Sequence, residues 1–115
     1  MVKDRITDGR RIGQLLASEL TGLERGPLGA VEVVEADPDV EPTADGAQAY
    51  RIEADGTTVG TVAVTPESAR LRLERATAAR PDRDDVTVEA DGAVVVAHAG
   101  AAVKMLVDVV ADDLH

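Results

Sequence analysis

Hydrophobic and polar residues alternate on both sides of Asp55-Gly56, in the runs AQAYRIEA at 47–54 and TTVGTVAV at 57–64. Alternation with a period of two is typical of a half-buried β-strand. Asp-Gly favours a tight turn, because glycine adopts positive φ without strain and aspartate tolerates it better than most residues. The pattern therefore predicts a central antiparallel hairpin.

Two registers of this hairpin fit the pattern. A two-residue turn places Ile52 opposite Val59, whereas a three-residue loop over 54–56 shifts every pairing. We favour the three-residue loop, because it gathers large apolar side chains on one face and leaves polar ones on the other. The apolar residues that it brings together are Tyr50, Ile52, Val62 and Val64.

Two segments near the ends of the sequence show the helical period instead. In 8–23, apolar residues recur at spacings of three and four, and Thr7 or Asp8 supplies a capping oxygen. In 101–114 a second apolar stripe follows Gly100. The residues of the two stripes are Ile12, Leu15, Leu16, Leu20 and Leu23, and Val103, Leu106, Val107, Val110 and Leu114. We expect an amphipathic helix in each segment.

The remaining segments predict strands and loops. Residues 29–35 alternate as a strand, and the acidic, proline-containing segment 36–46 is predicted to be a solvated loop. Thr65 and Pro66 would suit the start of a helix over 66–79. The period-two alternation instead predicts a strand over 69–75. A second hairpin follows around Asp91-Gly92.

These elements predict an α+β fold, with a single antiparallel sheet of five or six strands and the N- and C-terminal helices packed on one face. We expect residues 1–115 to form one domain, since a chain of 115 residues supports one core. The other face of the sheet is predicted to carry polar side chains, namely Arg51, Glu53, Thr58, Arg70, Arg72 and Glu74.

Composition adds a strong acidic bias to this picture. The sequence has 22 Asp and Glu against 12 Lys and Arg, a net charge of −10, and only Lys3 and Lys104 are lysines. Such a surface repels itself, and molar salt removes most of that penalty by shortening the Debye length to about 3 Å. We therefore predict a halophilic protein. A charged N-terminus and the absence of long apolar runs and cysteine predict a cytoplasmic location and no membrane association.

A family resemblance rests on both ends of the sequence. The stretches VKDRITDGRRIGQLLASELTGLERGPLG and GAAVKMLVDVV resemble a family of short acidic haloarchaeal proteins without an assigned activity. The resemblance implies no functional residues, because that family has none assigned. Candidate chemistry has to be sought in the residues themselves.

His98 is the first candidate for chemistry, because it is the internal side chain that titrates near neutral pH. A two-residue turn at Asp91-Gly92 places His98 opposite Asp85, and a one-residue shift substitutes Asp84. A histidine beside a carboxylate is half of an acid–base pair. Since no nucleophile accompanies it, we regard His98 and Asp85 as weak catalytic candidates.

Four cationic side chains are candidate anion contacts: Arg51, Arg70, Arg72 and Lys104. The arginines follow neighbouring strands of the predicted open face, and Lys104 lies one turn into the last helix. Nucleic acid is an unsuitable ligand, because the net charge is negative and only Tyr50 is aromatic. The sequence predicts no cofactor and no specific metal site, since segment 36–46 lacks the glycine and the glutamate of a calcium loop.

Two functional hypotheses remain. The first is a non-enzymatic protein-interaction or homo-oligomerising module that uses strand 29–35 or an uncovered apolar patch such as Val94 and Val96. The second is a small ligand-binding protein or enzyme with a site near His98 and the start of the last helix. Tyr50 separates them: burial in the core favours the first, and a position lining a cleft favours the second. We expect the first.

Overall fold

The computed structural model describes residues 8–22, 31–37, 39–76 and 84–114, and within them it contains two α-helices and one sheet of six strands. In chain order the elements are helix α1 (Gly9–Gly22), strands β1 (Val31–Val34), β2 (Ala47–Ala54), β3 (Thr57–Val64), β4 (Ala69–Leu73), β5 (Val86–Glu89) and β6 (Val94–Ala97), and helix α2 (Val103–Leu114). The strand order is β1-β2-β3-β4-β6-β5, and every pairing is antiparallel. The predicted α+β fold is confirmed.

Helix α1 begins where the sequence predicts. The carboxylate of Asp8 accepts hydrogen bonds from the backbone N–H groups of Arg10 at 3.0 Å and Arg11 at 3.4 Å, which identifies Asp8 as the cap. The apolar stripe of α1 is fully buried, with Ile12, Leu16 and Leu20 at 0% exposure. Leu23, the predicted last residue of the stripe, lies outside the described residues.

Both helices pack on the same side of the sheet and contact each other. On α1, Gly13 lies within van der Waals reach of Val64, and its carbonyl accepts a hydrogen bond from the Tyr50 hydroxyl at 2.7 Å. Helix α2 adds Val103, Leu106 and further apolar residues to the same core. A short 3-10 turn, Gly100–Ala102, precedes α2, so the regular helix begins two residues later than the sequence predicts.

The central hairpin combines features of both predicted registers. Ala54 pairs with Thr57 around a two-residue turn, in which Asp55 and Gly56 have φ values of 52° and 80°. A bulge at Val59 then shifts the register by one residue. The predicted three-residue loop is therefore wrong, but the grouping that motivated it is confirmed, because the bulge brings the large apolar residues onto the helix side.

The strand prediction for 69–75 is confirmed in its core, since β4 runs over Ala69–Leu73. The turn before it is fixed by Thr65, whose N–H donates to the Ser68 carbonyl at 2.9 Å. Residues 77–79, the end of the alternative helix, lie outside the described residues.

The second hairpin has the predicted register, and its turn is centred on Asp91-Gly92 as predicted. Val88 pairs with Val95, and the backbone N–H of His98 donates to the Asp85 carbonyl at 2.9 Å. These pairings place Asp85 opposite His98, as predicted, and exclude the register with Asp84. The Ala93 N–H donates to the Ala90 carbonyl at 3.1 Å and so closes a tight turn over Asp91 and Gly92, which both have positive φ. Ala90 also has positive φ, and the strand pairing ends at Glu89 and Val94.

The predicted apolar patch on the side of the sheet away from the helices is not exposed. Val94 and Val96 retain only 5% and 2% exposure. An ion pair at 2.6 Å joins Arg70 of β4 to Glu89 of β5. Because Arg70 pairs with Val96 and Glu89 pairs with Val94, the ion pair spans β6 beside both valines and contributes to their burial. The expectation of an uncovered patch at Val94 and Val96 is therefore wrong.

The acidic segment 36–46 is anchored to the sheet at both ends. Near its start, the backbone N–H of Asp37 donates to the Ala49 carbonyl at 2.8 Å. Near its end, the N–H of Thr43 donates to the Val64 carbonyl at 3.4 Å. Val40 is 5% exposed and belongs to the core, while most of its neighbours in the segment are exposed. The segment is thus a mostly exposed loop, held by these two backbone hydrogen bonds and by the buried side chain of Val40.

Among the helices in the described part of the chain, none has the length and hydrophobicity to cross a lipid bilayer.

Candidate functional site

His98 lies at the end of β6 with an exposed side chain. Its Nε2 atom is 2.8 Å from the hydroxyl of Thr87, which lies on the neighbouring strand β5. The backbone bond to Asp85 brings the two predicted catalytic residues side by side. Their catalytic role stays a prediction.

The predicted cations lie in different surroundings. Arg51 is 2.6 Å from a carboxylate oxygen of Glu35 and 2.7 Å from one of Glu53. The hydrogen bond to Glu53 raises the pKa of Arg51, and the negative charge of Glu35 adds to the effect. With two carboxylates already bound, Arg51 has little positive charge left to offer to a ligand.

Arg70 and Arg72 do come together, on the side of the sheet away from the helices. They line a polar depression of ≈260 Å³, which we call the arginine depression. Lys104 is exposed on α2, in the helical layer on the other side of the sheet. The residues lining the arginine depression are Asp45, Gly46, Gln48, Thr61, Ala63, Arg70, Arg72 and Val94.

A second cavity, also of ≈260 Å³, lies between α1, β1 and the start of the acidic loop, and we call it the α1 cavity. Its walls are mainly apolar. The lining residues are Arg10, Gly13, Gln14, Ala17, Ser18, Val33, Ala36, Asp37, Val40, Ala49 and Tyr50. Neither the α1 cavity nor the arginine depression is lined by His98 or Asp85.

Small side chains are the reason that the α1 cavity exists. The part of α1 facing it carries Gly13, Ala17 and Ser18, and Ala36 and Ala49 line the loop and the strand. Larger side chains at these positions would fill the space, as they do elsewhere in well-packed cores. The Asp37–Ala49 backbone bond holds the loop across the cavity, so the wall does not depend on side-chain packing alone.

Tyr50 does not separate the two hypotheses, because its position meets both criteria. It is 4% exposed and belongs to the core, yet it also lines the α1 cavity. Its hydroxyl donates to the Gly13 carbonyl, and burial raises the pKa of the phenol well above its ordinary value. The phenol therefore stays neutral and fixed at the wall of the cavity.

Polar groups stand around the apolar walls. Arg10 and Gln14 come from the first turns of α1, Ser18 from its middle, and Asp37 from the loop. None of the described residues that line the cavity is a histidine. The arrangement can hold a small molecule with an apolar body and a polar end. In the described ranges, no group of three metal-binding side chains is close enough together to hold a metal ion.

The sequence did not indicate this cavity. Its residues come from four separate segments, and most of them are alanines, valines and glycine, which no motif distinguishes. Tyr50 was the one usable indication, because a single aromatic residue in a chain of small side chains marks where packing is irregular.

Comparison with known proteins gives a family and nothing further. Residues 1–114 match the model of a family of unknown function, DUF7993. No curated protein and no solved structure matches the chain.

Proposed function

Since the chain belongs to the DUF7993 family, whose function is unknown, we propose from its geometry that it is a non-enzymatic protein that binds a small, mainly apolar molecule in the α1 cavity. The observation that carries the proposal is an accessible cavity of ≈260 Å³ with apolar walls and a polar rim. For comparison, a buried apolar cavity of about 150 Å³ is enough to hold benzene.

The chemistry of the cavity suits binding better than catalysis. An apolar ligand gains roughly 25 cal/mol for each Å² of apolar surface that it removes from water, and the walls supply the matching surface. Arg10, Gln14 and Asp37 at the rim offer donors and acceptors to a polar end. The proposal favours ligand binding over the interaction module that we expected from the sequence, and it places the ligand site at α1 and β1 instead of near His98, the position named in the alternative hypothesis.

The sole aromatic residue provides a built-in reporter for this proposal. Tyr50 is the only fluorophore of the protein, because the sequence contains no tryptophan, and it lines the cavity. We expect cyclohexanol, which does not absorb where tyrosine does, to change Tyr50 fluorescence in a saturable manner. In Ala17→Leu, where the added side chain fills the cavity, we expect the affinity to fall about tenfold or more, as steric exclusion requires.

The matched control is Thr21→Leu. Thr21 is exposed on the same helix and does not line the cavity, so the change adds similar hydrophobicity elsewhere. Thr21→Leu should keep the wild-type affinity. Equal binding by wild type and Ala17→Leu, or an unsaturable response in all three proteins, would contradict the proposal.

A second candidate function is homodimerisation at high salt, and the position of β1 favours it. Among the strands that the structure describes, β1 (Val31–Val34) lies at an edge and pairs with β2 alone, and such an edge can pair with a second copy through its outer backbone groups. With a net charge of −10, two copies would repel each other unless salt screens them. This candidate function agrees with the predictions that the protein is halophilic and that it works in a salt-rich cytoplasm.

Light scattering after size exclusion tests the second candidate. We expect a dimer in about 2 M KCl and dissociation or unfolding in dilute buffer, because the Debye length grows from about 3 Å at 1 M to about 30 Å at 0.01 M. A folded monomer that is indifferent to salt would rule out both the dimer and the halophilic character.

A further inference from the structure

The arginine depression is distinct from the α1 cavity, because the two lie on opposite sides of the sheet. Tyr50 faces the helices, whereas Arg51, Thr61 and Arg72 pair across the other face. A ligand site in the arginine depression therefore does not depend on the proposed function.

Arg72 differs from the other predicted anion contacts. Arg51 binds two carboxylates, and Arg70 is engaged with Glu89. Arg72 is exposed and has no ion-pair partner within the described part of the chain. Its guanidinium is thus available to an outside carboxylate or phosphate, with donors arranged for a bidentate contact.

The neighbours of Arg72 add hydrogen-bonding groups and an apolar floor. Thr61 pairs directly with Arg72 across the ladder, and the amide of Gln48 lines the same depression. Half-buried Ala63 supplies most of the apolar surface beside them, and Val94 adds the small part of its side chain that is exposed. A ligand could place an anionic group at Arg72 and a short apolar body over Ala63.

Carboxylates already present limit the charge that the ligand can carry. Asp45 lines the depression, and Glu89 occupies Arg70 at its border. Together with the net charge of −10, they disfavour a doubly charged phosphate more than a singly charged group. A small ligand is also required, since the depression measures ≈260 Å³.

We propose that the arginine depression binds a small monocarboxylate, with the carboxylate on the guanidinium of Arg72 and the apolar body over Ala63, at the edge of Val94. Thr61 and Gln48 position the carboxylate by hydrogen bonds. Arg70 keeps its ion pair with Glu89, and its side chain forms part of the wall of the depression.

Titration with potassium butyrate, followed by amide and arginine side-chain NMR signals, tests the proposal. Butyrate replaces chloride at constant potassium concentration, at the lowest KCl concentration at which circular dichroism shows the wild-type fold. We expect saturable shifts of the Arg72 side chain and of the Thr61 and Val94 amides. Arg72→Gln should weaken binding about tenfold or more, since it removes a charge-assisted bidentate contact to the carboxylate.

Two further variants sharpen the test. Lys104→Gln removes the same charge from the helical side of the molecule and should leave binding unchanged. Arg72→Lys keeps the charge but loses the fork of donors, and it should bind butyrate more weakly than wild type. Equal weakening by Arg72→Gln and Lys104→Gln would show a non-specific charge effect and overturn the proposal. So would tighter binding of inorganic phosphate than of butyrate, or shifts that do not saturate.

Discussion

Gly9→Ala is expected to cost about 3 kcal/mol or more of unfolding free energy, since inserting a methyl group into closely packed atoms costs about 1–3 kcal/mol and here the obstacle is backbone. A Cβ at this position would lie 1.8 Å from the Thr65 carbonyl oxygen and 2.3 Å from that of Ser68. The same glycine donates its N–H to the Pro66 carbonyl at 3.2 Å. Helix α1 therefore rests directly on the turn between β3 and β4, where no flexible side chain can move aside.

Urea denaturation followed by circular dichroism measures this loss. For a domain of ordinary stability, about 5–10 kcal/mol, it would be a large fraction of the total. Gly56→Ala is the control, since Gly56 has φ +80° but no atom within 4 Å of an added Cβ. That change should cost about 1 kcal/mol, through backbone strain alone. If both substitutions cost the same, α1 does not rest on the turn.

High pH is expected to destabilise the protein through Tyr50. Burial raises the pKa of the Tyr50 phenol in the folded protein, whereas an unfolded tyrosine titrates near its ordinary value of about 10. The stabilisation from the neutral phenol is complete below that ordinary value. It is lost as the pH rises towards the higher pKa of the folded state, because the unfolded chain then releases a proton that the folded chain keeps.

Comparison with Tyr50→Phe isolates this effect from other titrating groups. At neutral pH the wild type should be more stable by about 1 kcal/mol, owing to the hydroxyl bond with the Gly13 carbonyl. Above pH ~10 the wild type should lose about 1.4 kcal/mol per pH unit relative to Tyr50→Phe, so that the two stability curves cross. Phenolate absorbance should appear only as the protein unfolds. Parallel curves, or phenolate in the folded protein, would contradict the assignment of Tyr50 as a buried phenol.

The sequence predicted the elements well because their patterns are local. The period-two runs at 47–54 and 57–64 and the leucine stripe of α1 correspond to faces that the fold buries. What it could not predict was the bulge at Val59, since a two-residue turn with a bulge groups the same side chains as a three-residue loop. Periodicity reports which side a residue faces, and it leaves the path of the backbone through the turn open.

The surface features depended on contacts between distant segments. The sequence predicted that Val94 and Val96 are uncovered, but both are buried beside an ion pair that runs from β4 to β5. The α1 cavity likewise arises where four segments with small side chains meet. Neither an ion pair across an intervening strand nor a gap between segments leaves a repeat in the sequence. Of the predicted anion contacts, the structure groups Arg70 with Arg72 and separates Arg51 and Lys104 from them.

The contact between α1 and α2 bears on how the protein folds over time. These helices lie near opposite ends of the sequence, yet they pack against each other over the same core. Their contact closes a loop that contains the whole sheet, and such long closures slow the search for the native topology. The local hairpin around Asp55-Gly56 can form early, while the apolar face of α1 stays in water until the last element docks. Folding speed should therefore be set by this late docking step.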